Sequence, residues 1–295
     1  MEWNKYYLLL DLAETKNITR TAERLGYSQP GVSHILKNLE KEMGFPLVIR
    51  EKYGVVLTPA AELLLPQIRD IVTAGEKLEQ TIYAINGLEY GKITIGTYSS
   101  ISIHLLPKLL SRFREEHPDL DIYIKEGGAD TILEWMADNM VDFAFLSRPY
   151  TKAMEFIPFG KDPLLATLPL DYPVHPKQEA FDITCFEDQN FIISAVGNDF
   201  DVHYALEQSG VSPKFHYSVL DDHSILSMVE NHLGISILSR LIATGYEDKV
   251  KLLPLQPFYS RELGIGMRSY ENLSPAARTF VDFAKENLKM PEYNE

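Results

Sequence analysis

The chain predicts an α/β fold preceded by a winged helix-turn-helix that is mostly α, and three observations carry that prediction. Two helix-period stretches meet at Gly26 within residues 18–50. A short β-type hairpin pattern follows around residues 51–54. From Lys92 onward, β-type and helix-type runs alternate to the end of the chain. Helix-period and strand-period patterning cannot substitute for one another, so the change of texture near residue 90 marks a domain boundary.

Residues 3–15 read as a first helix, with Trp3, Tyr6, Tyr7, Leu10 and Ala13 at core spacing. Residues 18–25 repeat apolar or small side chains at Ile18, Thr21, Ala22 and Leu25, and Gly26 is suited to end that helix in a left-handed conformation. Ser28 then caps a second helix with Pro30 in its first turn, where a missing N–H costs nothing. That helix buries Val32, Ile35, Leu36, Leu39 and Met43 and leaves Gln29, Ser33, His34 and Lys37 on the other side, until Gly44-Phe45-Pro46 stops it. Such a pair places its second helix in the major groove of DNA, although an ordinary helical hairpin in a core has the same spacing.

Residues 47–50 and 55–57 form a hairpin around Glu51 to Gly54. Beside a helix-turn-helix it is a wing, and Arg50 and Lys52 are either phosphate contacts or two solvated charges on a turn. Thr58 caps a long helix with Pro59 at its first position, running to about residue 84. Its apolar stripe, Leu64, Ile68, Ile71, Leu78, Ile82 and Ile85, outruns anything a small domain offers to cover it, so pairing with a second copy is expected. Pro66 is expected to kink or locally break this helix.

Residues 86–91 form the boundary. Strands are expected at 92–97, 120–125 and 142–146, with helices at 102–117 and 130–139 between them. A second unit of the same kind starts near Pro163, with strands at 164–168, 191–195, 214–219, 235–238 and 263–268. Its helices lie at 201–209 and 222–233, and Ser274 caps a last one to about residue 288. Strand–helix–strand order with short connections implies a parallel sheet with right-handed crossovers.

The net charge of −14 is unusual for a nucleic-acid binder, but its distribution resolves the difficulty. Residues 1–60 hold 8 Lys and Arg against 7 Asp and Glu, so the acidic excess lies wholly in the remainder. A balance of +1 is no basic patch, so non-specific DNA affinity is expected to be modest and salt-sensitive. No apolar run approaches the roughly 20 residues that span a membrane, and the N-terminus lacks a basic start and a cleavage site. The lone Cys185 excludes an internal disulfide and suits a reducing cytoplasm, the expected location.

The run Thr21-Ala22-Glu23-Arg24-Leu25, followed by Ser28-Gln29-Pro30, Val32-Ser33, Leu39-Glu40, Gly44, Leu47, Arg50 and Leu57-Thr58-Pro59-Ala60, resembles the N-terminal domain of LysR-type transcriptional regulators. Three positions depart from the family pattern. Gly31 stands where Ala is usual, at a cost of about 1 kcal/mol in helix stability. His34 replaces a common Arg or Gln, and Ala61 replaces a frequent glycine. Weaker similarity continues through Leu105-Leu106-Pro107 with Leu110, Phe113 and Pro118, through residues 127–142, and through Leu233-Gly234-Ile235-Ser236-Ile237-Leu238.

The resemblance implies a sequence-specific regulator in three parts: a DNA-binding domain (1–58), a linker and dimerisation helix (59–88), and an effector-binding domain (91–295). It implies that the last part is two-lobed and similar to periplasmic binding proteins, with lobe I at 91–161 and 266–295 and lobe II at 162–265. The chain would cross between lobes near Lys161 and Leu263, and dimers would pair into a tetramer. The expected DNA contacts are Thr21, Ser28, Gln29, Pro30, Ser33, His34, Lys37, Arg50 and Lys52.

In open α/β sheets, ligands sit at the carboxyl ends of strands beside helix N-termini. Tyr98, Ser99 and Ser100 follow the first strand, where matching family positions contact the effector; the serines either hold a carboxylate or merely cap the next helix. Ala129 belongs to a second such segment and lacks a hydroxyl. Gly197, Phe200 and His203, with Ser147 facing them, make the third, although Phe200 and His203 are each more often plain loop or core packing. A small carboxylate or an amino acid suits these features, and a ligand that closes the cleft would shift the population of dimer arrangements.

Enzyme and transport functions lack support. No phosphate-binding loop, dinucleotide fingerprint, nucleophile elbow or H-E-x-x-H motif occurs. His203, His216 and His223 are the nearest thing to a metal cluster and lack ligand spacing, so neither metal nor cofactor is expected. A solute-binding transport protein would need a signal peptide and no winged helix.

Overall fold

The computed structural model describes residues 3–52, 54–87, 89–148, 154–175, 178–195, 200–288 and 290. The chain forms two compact units whose main division lies at Tyr90/Gly91.

The first unit contains α1 (Asn4–Thr15), α2 (Ile18–Leu25), α3 (Gln29–Met43), β1 (Val48–Glu51), β2 (Gly54–Leu57) and α4 (Pro59–Ile85). Each helix start is satisfied by a side chain where the sequence offers one. Asn17 Oδ1 accepts from the amides of Thr19 and Arg20, at 2.9 and 3.1 Å. Ser28 Oγ accepts from Gly31 N, and Thr58 Oγ1 from Ala61 N, both at 3.2 Å. Gly26 and Gly44 end α2 and α3 at φ of 70° and 83°, backbone that other residues adopt only with strain.

The core of this unit closes around Leu8, Leu9 and Leu12 of α1 against Ala22, Val32, Leu36, Leu39 and Leu47. The buried face of α1 is thus turned from the expected set of Trp3, Tyr6, Tyr7, Leu10 and Ala13. The reason is that Tyr6-Tyr7-Leu8-Leu9-Leu10 is apolar all round, so periodicity alone has no face to select. Glu40 Oε1 accepts from Leu47 N at 2.8 Å and fastens the wing to α3, while Val55 N donates to Lys16 O at 2.9 Å and fastens it to the turn before α2.

Helix α4 runs for 27 residues with Pro66 inside it, so of the expected kink or local break the break does not occur. The missing N–H of Pro66 removes one helical hydrogen bond, and flanking turns carry the helix through. The apolar stripe splits in two. Ile68 and Val72 are buried in the unit's core, whereas Ile71, Leu78, Ile82 and Ile85 are exposed, the last at 80%.

The second unit begins with β3 (Gly91–Thr97), α5 (Ser99–His104), α6 (Leu106–Glu116), β4 (Leu120–Glu126), α7 (Ala129–Ala137) and β5 (Phe143–Ser147). It continues with β6 (Glu155–Pro169), β7 (Phe181–Asp182), a single 3-10 turn (Ile183–Phe186), β8 (Asn190–Ser194), α8 (Phe200–Gln208) and β9 (Lys214–Val219). Then come α9 (Asp222–Glu230), β10 (Ser236–Ser239), α10 (Arg240–Ala243), β11 (Val250–Gln256), β12 (Ser260–Met267) and α11 (Pro275–Asn287).

The principal sheet has the order β4-β3-β5-β12-β6-β11-β7, with β10 also on β6. The expected parallel pairing holds for β4, β3 and β5 and for the separate pair β8 and β9. The strands between them depart from it, since β12 is antiparallel to both β5 and β6, and β6 is antiparallel to β10 and β11.

Strand β6 is 15 residues long, three times the expected 164–168 run. Its first half, EFIPFGKDP, holds two prolines and a glycine, which read as loop, yet it pairs along β12. The helix expected at 102–117 begins earlier, at Ser99, and divides at Leu105, because Pro107 fits the first turn of a new helix.

Two apolar clusters sit at opposite ends of β6. One gathers Phe113, Phe143, Phe145 and Phe280 beneath α6 and α11, with Phe113 and Phe280 centroids 4.7 Å apart. The other gathers Leu164, Phe181, Phe186, Phe191 and Val202. Because Phe280 touches three other rings, Phe280→Ala should destabilise the second unit by about 3–5 kcal/mol in urea denaturation followed by near-UV circular dichroism. A loss well below 1 kcal/mol would mean that this cluster is not the core of that end.

Candidate functional site

Two surfaces answer to the sequence expectations, one in each unit. On α3 the burial of Val32, Leu36 and Leu39 turns the opposite stripe outward, exposing Gln29, Pro30, His34 and Lys37, with Ser33 half-buried at its edge. Gln29 Nε2 donates to Ser33 Oγ at 3.2 Å, and His34 Nε2 lies 3.2 Å from Asn38 Nδ2. Asn38, one turn beyond His34, therefore belongs to the same face, although periodicity did not single it out. Arg50 and Lys52 are exposed at the tip of the hairpin.

Two expected contacts have other work. Thr21 is fully buried, and its hydroxyl lies 2.6 Å from that of Thr15, so its side chain is a core residue and not a surface contact. A threonine at helix spacing with Ala22 and Ile18 lies on the packed face. Ser28 remains exposed, but its hydroxyl is the cap of α3.

In the second unit, a cleft of about 440 Å³ opens where β3 ends and where α5, α7, α8 and α9 begin. Its centre is Arg261 on β12. Arg261 stands directly opposite Asp162 in the β6–β12 register, and both side chains are buried. Arg261 Nε and Nη2 donate to Asp162 Oδ2 at 2.9 and 2.8 Å. Nη2 also donates to Ser100 Oγ at 2.9 Å, and the guanidinium lies 5.6 Å from the centroid of the Tyr98 ring. Asp162 Oδ1 in turn accepts from Leu241 N at the start of α10. Burial alone would lower the Arg261 pKa, but the charges of Asp162 and then Asp201 outweigh it, and the guanidinium is held charged.

Around this pair stand more carboxylates. Burial pushes Asp201 above the usual carboxylate range, against the pull of Arg261 and Ser147. Burial does the same to Asp222, against Arg261 and Ser194. Asp221 caps α9, accepting from His223 N and Ser224 N, and Glu126 Oε1 accepts from Ser102 Oγ at 2.5 Å. Tyr98 is half-buried, desolvation raises its pKa, and its hydroxyl lies 3.2 Å from Ser147 Oγ.

Of the residues expected at a ligand, Tyr98, Ser99, Ser100, Ala129 and Phe200 line the cleft. Ser147 stands behind Tyr98, off the wall. His203 turns away on α8 and packs against the Phe215 ring at 5.9 Å. Gly197 lies outside the described residues. Of the two alternatives for Ser99 and Ser100, holding a carboxylate or capping the next helix, the cap does not form, since the start of α5 has no side-chain cap. Ser100 is occupied by Arg261, and α5 has only 6 residues with which to present a positive end.

Sequence reasoning missed Arg261, Asp162, Asp201 and Asp222. Sequence offered little signal for the central pair, since Gly160-Lys161-Asp162-Pro163 reads as a loop and Arg261 sits beside Glu262 as an ordinary pair of charges. The three histidines considered for a metal go to separate partners: His203 to Phe215, His216 to Lys214 O, and His223 to Asp221 and Tyr246. Among the described residues, no group of three or more His, Cys, Asp or Glu is placed to hold a metal ion, and no helix is long and apolar enough to cross a membrane.

A capped helix-turn-helix joined to an α/β unit with a polar cleft at strand ends defines a ligand-responsive DNA-binding protein. Residues 3–62 match the model of the bacterial regulatory helix-turn-helix proteins of the lysR family, and residues 86–289 match the LysR substrate binding domain, so the chain belongs to the LysR family of transcriptional regulators. It is a DNA-binding transcription regulator with an effector-binding domain.

Among its relatives, the uncharacterized HTH-type transcriptional regulator YvbU of Bacillus subtilis (strain 168) is 30% identical, over 95% of this chain and 96% of YvbU. The full-length OxyR C199D structure from Pseudomonas aeruginosa is similar with a TM-score of 0.71, at 21% identity and 98% coverage of each chain. The CcmR regulatory domain of Synechocystis PCC6803, in complex with 2-PG, has a TM-score of 0.62 at 21% identity, covering 67% of this chain and 97% of that one.

Two measurements follow from the cleft. Arg261→Met strands Asp162 as a buried unpaired charge and should cost about 3–5 kcal/mol, much of it recovered in Asp162→Leu/Arg261→Met. Equal destabilisation in the single and double variants would show that pairing is not what matters.

For pH, Asp142, Asp201 and Asp222 have raised folded-state pKa values, each chiefly through burial. Their unfolded values lie near 4. Their favourable contribution is thus full below that value and is lost as pH rises through the folded values. These three groups should add a rising slope to the urea midpoint as pH falls through their folded values towards about 4. Asp201→Asn with Asp222→Asn should flatten that slope, and an unchanged slope would remove these two groups as its cause.

Proposed function

We propose that the chain is a cytoplasmic, non-enzymatic regulator that reads DNA through α3, pairs with a second copy through α4, and is controlled by a small molecule in the cleft around Arg261. The observation that carries the DNA reading is the outward stripe of α3, held in place by the caps at Ser28 and Gly44. Gln29, Ser33, His34 and Asn38 meet base edges in this reading, Pro30 and Lys37 lie close to the duplex, and Arg50 and Lys52 meet phosphates. Residues 1–58 then form the DNA-binding domain, 59–88 the linker and 91–295 the effector domain, divided into 91–161 with 266–295 and 162–265.

The dimer reading rests on α4. Ile71, Leu78, Ile82 and Ile85 recur at intervals of seven, four and three, the spacing of a coiled-coil seam, and all four are exposed in one chain. A tetramer built from such dimers would let the cleft act at a distance, with ligand favouring one arrangement of half-sites. For the cleft, the support is its size, which falls within the range of small-molecule sites, and its position at strand ends.

Duplexes selected from a random pool provide the test. Gln29→Ala and His34→Ala should each weaken binding to the selected sequence by about 1–3 kcal/mol and relax preference at one position. Arg50→Ala and Lys52→Ala should weaken selected and unrelated duplexes alike and reduce the salt slope by about 1 each. Retention of full affinity and preference in all four variants would overturn the assignment of this face. Leu78→Glu with Ile82→Glu should yield a monomer by light scattering. A variant that stays dimeric would move the interface off α4.

A further inference from the structure

We propose that the effector carries a positive charge: an organic amine with an apolar body, whose ammonium sits between Asp201 and Asp222. This inference rests on the effector reading of the cleft. The acidic groups do not themselves define the site; the enclosure of about 440 Å³ does, and the carboxylates determine what it favours.

The charge census is one-sided. Arg261 is the only cation lining the cleft among the described residues, and it is neutralised by Asp162 and bonded to Ser100. Set against it on the wall are Asp201, Asp222, Asp221 and Glu126. An anionic ligand would have to displace the Asp162–Arg261 pair or remain beside these carboxylates uncompensated.

Three helices of 9 residues begin at the cleft, and each start already carries a carboxylate: Asp130 on α7, Asp201 on α8 and Asp222 on α9. Asp221 occupies the free amides at the start of α9. The protein therefore supplies its own anions where a ligand carboxylate would sit. A ligand ammonium beside Asp201 and Asp222 gains charge-assisted hydrogen bonds and offsets the like-charge repulsion that Asp162 exerts on Asp201 and Asp221 on Asp222.

The rest of the wall selects the body of the ligand. Leu164, Val202, Leu238 and Ile242 offer apolar surface, and Phe200 offers a ring face that also favours a cation. A bare metal ion does not fit, because no three metal-ligating side chains converge among the described residues.

The test uses the full-length chain and three probes with one apolar body and different charge: cyclohexylmethylammonium, cyclohexylmethanol and cyclohexanecarboxylate. Dissociation constants come from calorimetry, with thermal shifts as a second readout, on the parent chain and on Asp201→Asn, Asp222→Asn and the pair. The ammonium probe should bind at least about tenfold more tightly than the alcohol, and the paired variant should lose that advantage. The milder Glu126→Gln keeps the comparison available if the pair folds poorly, and should weaken the ammonium probe by less.

Tightest binding of the carboxylate probe would overturn the charge assignment and leave the effector cleft standing. So would stabilisation by calcium or magnesium instead of the amine. Equal binding of the amine to the parent and the paired variant would place it elsewhere and overturn the proposal. Failure of all three probes to bind at millimolar concentration would overturn the effector reading along with it.

Discussion

The second unit is organised by one buried ion pair. Arg261 and Asp162 face each other across the two strands, β12 and β6, that run from one apolar cluster to the other. Neither group could be buried alone, since an unpaired charge there costs several kcal/mol. Each has a second commitment: Arg261 to Ser100 on α5 and Asp162 to the Leu241 amide in the first turn of α10. A single charged contact thus links elements from both ends of the sheet, and its Arg261 member lines the cleft. The same pair keeps the cleft polar enough to hold water or ligand, and leaves its remaining charge negative.

The first unit uses weaker interactions more often. Its helices are short, and a helix of 8 residues such as α2 has little stability of its own. Three side-chain caps and two left-handed glycines define the ends instead, and the buried leucines of α1 hold the pieces together. The outcome is that α3 is fixed at both ends and free along its outer face. A recognition surface needs that combination, because side chains that search for base edges gain specificity only from a backbone that does not.

Local chemistry made much of this legible from sequence. Ser28 with Pro30, Thr58 with Pro59 and Ser274 with Pro275 each mark a helix start, and all three caps form. Non-local pairing was harder to read. The first half of β6 looks like a loop because its prolines and glycine are judged against strand propensity, and only the partner strand β12 makes it a strand. The ligand residues divided along the same line. Tyr98, Ser99, Ser100 and Ala129 follow a strand or open a helix, so local rules find them. Arg261 and Asp162 lie 99 positions apart and acquire meaning only through register. Thr21 shows the converse: a polar residue inside a recognised motif was read as a contact, when its hydroxyl serves Thr15 within the core.

Strand β6 also constrains how this domain can change in length. Side chains alternate faces along a strand, so one residue inserted or lost near Lys161 would turn Asp162 away from Arg261 and invert every later position on β6. The same change would carry Leu164 and Ala166 out of the second apolar cluster. The register that pairs Asp162 with Arg261 is therefore set by β6 and β12, whereas the described residues between Pro169 and Phe181 belong to no ladder. Lineages of this chain should vary in length there while β6 and β12 keep theirs, and alignments that place a gap within either strand are misaligned.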